Sequence, residues 1–135
     1  VMNDISCEKM ILHIYGTDQQ DYQGSTFDSG FKQHVIKKCG DRFSEEIEVN
    51  VSTLHQILSE NKIDQKIDFM SIDCEGVDME VIRSNCWNSY RPTLVCVENS
   101  GDTSELVSLM NSFDYSIYTV TGHGANIFFI SHGSS

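Results

Sequence analysis

Apolar and polar positions along the chain change period several times, and each change marks an element. "MILHIYGT" (10–17) is an apolar run of β type, and residues 18–44 are polar and rich in Gly and Ser. That second stretch predicts a long loop with a short helix near "FKQHVIKKC". In "EIEVNV" (46–51), Ile47, Val49 and Val51 alternate with Glu46, Glu48 and Asn50, the period of a half-buried strand. Ser52 or Thr53 then caps a helix to about Asn61, which sets Leu54, Ile57 and Leu58 on one face.

"IDFMSI" (67–72) is apolar apart from Asp68 and Ser71, as a central parallel strand would be. A helix over about 76–85 turns Val77, Val81 and Ile82 inward, with Asp78 and Glu80 solvated near its N-terminus. Pro92 precedes a second buried strand, "TLVCVE" (93–98). A third helix, about 103–112, starts from Thr103 or Ser104 and buries Leu106, Val107, Leu109 and Met110. "YSIYTV" and "NIFFIS", joined by "TGHGA", predict a closing β-hairpin. The order β-β-α-β-α-β-α-β-β predicts one α/β domain over 1–135, with helices on the faces of a sheet and an antiparallel hairpin at one edge.

Twenty acidic residues against nine basic ones give a net charge of −11. Such a surface repels phosphate backbones and anionic lipid heads, so nucleic acid and membrane are excluded as expected partners. The five cysteines form no CxxC pair and their number is odd, which argues for a reducing, cytoplasmic setting without a disulfide framework or structural zinc. Cys96, inside "TLVCVE", reads as a small buried hydrophobe.

Ligands of open α/β sheets bind beyond the carboxyl ends of parallel strands. Two such ends are visible, Asp73-Cys74-Glu75-Gly76 and Glu98-Asn99-Ser100-Gly101. Neighbouring strands that deliver these carboxylates to one edge would form a negative cleft suited to a cationic or hydroxyl-bearing ligand. An acidic residue in that position also simply starts the next helix, and the residues alone leave both readings open. None of the nine glycines builds a GxGxxG or GxxxxGK, no GxSxG occurs, and the five histidines lack metal-ligand spacing.

The succession "VNVSTLHQIL", "IDFMSIDCEGVDMEVIRS", "RPTLVCVEN" and "NIFFI" resembles the C-terminal half of the FkbM-type methyltransferases, most clearly from about residue 46 onward. The resemblance implies a Rossmann-like methyltransferase sheet, incomplete at its N-terminal side, that uses S-adenosylmethionine. It implies methylation of a hydroxyl on a sugar or secondary metabolite. By the same resemblance Asp73 and Glu75 carry catalysis, while Asp73, Gly76, Glu98 and Asn99 lie beside the methyl donor. His55 stands where the family's "TLD" has Asp, and the family's glycine-rich donor loop is not among these residues, so the isolated chain is expected to bind the donor weakly or not at all.

Two other readings stay open. A non-catalytic α/β binding or assembly module would expose the edge of its sheet, a route to homo-oligomers. A metal-dependent hydrolase would use Asp73, Glu75 and Glu98 to hold Mg²⁺.

Overall fold

The computed structural model describes residues 9–15, 43–74, 76–99 and 102–133. They divide between two compact units, one within Val1–Ser52 and Cys74–Val77, the other within Thr53–Asp73 and Asp78–Ser135. The order of elements along the chain is the one the hydrophobic pattern predicts. The predicted helix near "FKQHVIKKC" lies outside the described residues.

In the first unit, β1 (Lys9–Tyr15) pairs antiparallel with β2 (Phe43–Asn50). Ile47 and Val49 are half-buried while Glu46, Glu48 and Asn50 are exposed, as the alternation requires. Lys9 Nζ lies 2.7 Å from Glu48 Oε1 on the exposed face, a pair worth little in water.

The second unit is a mixed four-stranded sheet with three helices. The helices are α1 (Leu54–Glu60), α2 (Asp78–Arg83) and α3 (Thr103–Ser112). The strands β3 (Phe69–Ile72), β4 (Leu94–Glu98), β5 (Tyr115–Thr121) and β6 (Asn126–Ser131) run in the order β3-β4-β6-β5. β3 and β4 are parallel, and β6 is antiparallel to both β4 and β5.

Register explains the core. Val95 pairs with Phe129 and Val97 with Ile127, and all four side chains are fully buried on one face. Ile82 from α2 and Leu106 and Met110 from α3 complete the apolar interior. Leu106 and Met110 are four residues apart, one turn of the same helix face.

The connection before β4 is held by aromatic packing. Trp87 stacks on Phe113 and meets Tyr115 edge-on, each at 5.3 Å between centroids. Its Nε1 donates to the Ile82 carbonyl at 2.9 Å, and Tyr115 Oη donates to the Pro92 carbonyl at 2.6 Å. The polar tips of both rings are thereby satisfied where they are buried.

Helix starts follow the local chemistry, with one correction. Thr53 caps α1 in a reciprocal capping box with Gln56. α3 begins at Thr103 as predicted, but its cap is Asp102, whose carboxylate accepts from the Ser104 and Glu105 N–H groups.

Two further expectations are corrected. β3 is an edge strand among the described residues, not a central one, because β4 is its only neighbour. Its side chains follow suit: Ile72 is buried while Phe69 is 53% exposed. Asp78, expected to be solvated in the first turn of its helix, is 5% exposed.

Candidate functional site

β3 and β4 end side by side. Their register pairs Ile72 with Val97, so one further step sets Asp73 beside Glu98. Glu98 in turn pairs with Asn126, the first residue of β6. The three strands therefore bring Asp73, Glu98 and Asn126 to one edge of the sheet. Asp73 is exposed and Glu98 is half-buried.

Ser71 pairs with Cys96 two residues back from that edge. The Cys96 thiol is pushed up from its ordinary pKa chiefly by burial, with the negative charge of Asp73 adding to the shift and the Ser71 hydrogen bond opposing it. Asp73, Ser71 and Cys96 thus lie within one another's electrostatic reach. Cys96 is buried, as its apolar run predicts.

Asn99 follows Glu98 and binds three elements together. Its N–H donates to the Ala125 carbonyl at 2.7 Å. Its Nδ2 donates to Thr103 Oγ1 at 2.8 Å and to the Gly124 carbonyl at 3.3 Å. Both side-chain amide protons are spent on α3 and on the turn between β5 and β6, and Oδ1 has no partner among the described residues.

Gly76 has φ of 96°, a left-handed backbone that disfavours any side chain. It lies in the Cys74–Val77 segment, where the Val77 N–H reaches the Cys74 carbonyl at 3.4 Å. The glycine is therefore needed for the turn itself, whatever else it serves. Glu75, Ser100 and Gly101 lie outside the described residues.

Three polar residues near this edge escaped the sequence reading in the roles they take. Ser71 read as an interruption of an apolar strand, yet it is the register partner of Cys96 and draws the pKa of its thiol down. Asp78 read as solvated and is buried; the only signal is its place in "EGVDMEV", which solvated first-turn acids share. Asn126 read as part of a hairpin strand and is the register partner of Glu98.

Among the described residues, no group of three or more His, Cys, Asp or Glu side chains is placed to hold a metal ion. Among them, too, no helix is long and apolar enough to cross a membrane.

Residues 4–117 match the family model of the methyltransferase FkbM domain. The matched stretch takes in residues 4–45, where the sequence resemblance is weakest, and stops within β5, before the turn and β6. No curated protein and no solved structure gives a significant match.

Proposed function

This chain belongs to the FkbM methyltransferase family, and we propose on that premise that it forms the acceptor side of a Rossmann-like, S-adenosylmethionine-dependent O-methyltransferase site. The observation that carries the reading is the meeting of Asp73 and Glu98 at the carboxyl ends of adjacent parallel strands, where open α/β sheets take their ligands. The strand order β3-β4-β6-β5, with β6 antiparallel, is consistent with such a sheet.

The donor suits these residues in part. Carboxylates at Asp73 and Glu98 complement a sulfonium and ribose hydroxyls, while none of the nine glycines builds a nucleotide-binding loop. The donor, when bound, supplies a methyl group on a positively charged sulfur. The chain's residues position the acceptor hydroxyl in line with that methyl, which is where most of the acceleration arises. Asp73 or Glu75 would accept the proton of the acceptor hydroxyl as the methyl group is transferred. Glu98 and Asn99 are the candidates for the few contacts this chain makes to the donor. The acceptor class is a sugar or secondary-metabolite hydroxyl, and the free thiols at Cys74, Cys86 and Cys96 suit a reducing cytoplasm.

The test is titration of the chain with S-adenosylhomocysteine, followed by calorimetry and backbone amide shifts. Weak binding with shifts at Asp73, Gly76, Glu98 and Asn99 is expected. Tight binding defeats the view that these residues lack a donor loop, and shifts confined elsewhere defeat the site.

One observation favours a second reading, assembly through the sheet edge. β3 has one neighbour among the described residues and leaves Phe69 half-exposed beside it. Sedimentation equilibrium that shows a dimer, abolished by Phe69→Lys, would favour it; a monomer at all concentrations would remove it.

A further inference from the structure

The opposite end of the same sheet carries an open cavity of about 500 Å³, between the residues that lead into β3 and β4 and those that follow β6. That volume is typical of small-ligand pockets. Arg91 in its wall is held rigidly. Its Nε donates to Ser131 Oγ at 2.9 Å, and its Nη2 donates to the carbonyls of Phe113 at 2.7 Å and Asp114 at 3.2 Å. The guanidinium carbon lies 4.9 Å from the centroid of the Tyr115 ring, and a β-carbon at Gly133 would collide with the guanidinium.

These contacts spend three of the five guanidinium N–H donors. The two on Nη1 have no partner among the described residues. Lys66 lines the same cavity and likewise has no carboxylate partner among the described residues. Asn88, Ser89 and Thr93 add neutral donors, and Asp64 is the only acidic residue in the lining. Two cations therefore face one carboxylate in a chain whose net charge is −11. The field of the whole molecule opposes anions, so attraction here is local. The Arg91 guanidinium is already fixed by its bonds to Ser131, Phe113 and Asp114, so its Nη1 pays little ordering entropy on binding.

We propose that this cavity binds a small ligand through an oxyanion, carboxylate or phosphate, held by Arg91 Nη1 and Lys66 Nζ. The site is independent of methyl transfer, because it lies at the amino ends of β3 and β4 while Asp73 and Glu98 lie at their carboxyl ends.

The test is titration of the full chain with inorganic phosphate and, separately, acetate, each against chloride at matched ionic strength, followed by amide shifts. Saturable shifts at Lys66, Ser89, Arg91 and Thr93 are expected with one or both probes. Response to phosphate alone identifies a phosphate site, and response to acetate identifies a carboxylate site. Loss of one charge-assisted hydrogen bond in Lys66→Gln weakens binding by about tenfold. Lys9→Gln, on the β1–β2 sheet, leaves it unchanged. Arg91→Lys keeps the charge and loses the fork, so it weakens binding as well; if that variant does not fold, Lys66→Gln still decides the matter. Shifts that do not saturate, or that chloride reproduces, overturn the proposal, as does an equal loss in Lys9→Gln.

Discussion

Ser71 and Cys96 are register partners across the parallel strands β3 and β4, and the Ser71 side chain draws the Cys96 thiol pKa down against the larger effect of burial. Asp73, two residues further along the same strand direction, acts on that thiol in the opposite sense. The pair therefore reports on the electrostatics of the proposed site without any ligand.

The reactivity of Cys96 should move in opposite directions in two variants. Asp73→Asn removes a negative charge and lowers the thiol pKa, so alkylation of Cys96 begins at lower pH. Ser71→Ala removes the hydroxyl that favours the thiolate and raises it. Peptide-resolved mass spectrometry after iodoacetamide labelling across a pH series separates Cys96 from the other cysteines. Shifts in the same direction would show that Asp73 and Ser71 do not flank the thiol as described.

Asp102 makes the start of α3 sensitive to acid. The Ser104 hydroxyl and the Ser104 and Glu105 N–H groups hold its carboxyl below the usual aspartate value. A carboxylate depressed in the folded state contributes stability above its unfolded pKa and loses it as pH falls through the folded one. Hydrogen exchange at Ser104 and Glu105 should show protection that is steady at neutral pH and lost below about pH 4. Asp102→Asn keeps a capping oxygen and should flatten that dependence.

Tyr115 sets the alkaline limit in the reverse sense. Burial pushes its phenol up, against the smaller opposing effects of Arg91 and Ser131. A group whose folded pKa is raised contributes fully below its unfolded value and loses that contribution as pH rises. Melting temperature should hold to about pH 10 and then fall. Tyr115→Phe loses the bond to the Pro92 carbonyl, about 1 kcal/mol at neutral pH, and should show a shallower alkaline fall.

Phe129 and Phe69 should differ sharply under truncation. Phe129 is fully buried on β6, so Phe129→Ala should cost about 3–5 kcal/mol in urea denaturation. Phe69 is 53% exposed on β3, so Phe69→Ala should stay within about 1 kcal/mol. Comparable losses would mean that β3 is covered on both sides, as its apolar sequence had predicted.

Much of the fold is legible because local chemistry and local structure agree. The alternation in "EIEVNV" makes β2, Thr53 and Gln56 make a capping box, and the apolar "VCV" of β4 is buried as read. The site is legible to the extent that Asp73 and Glu98 each close an apolar run. Nothing in either run says that they are neighbours; the pairing of Ile72 with Val97 does.

The sequence by itself determined the order of helices and strands among the described residues and which family the chain resembles, because periodicity, capping and motif spacing are properties of residues close along the chain. Tertiary structure decided that β3 lies at the edge of the described sheet, that Asp78 is buried while Glu80 two residues away is exposed, and that Arg91, in the wall of a cavity, keeps its Nη1 without a partner among the described residues. Those outcomes depend on partners distant in sequence, such as Val97 for Ile72 and Ser131 for Arg91. Burial and donor satisfaction are set by the neighbours that folding brings, and no local pattern encodes them.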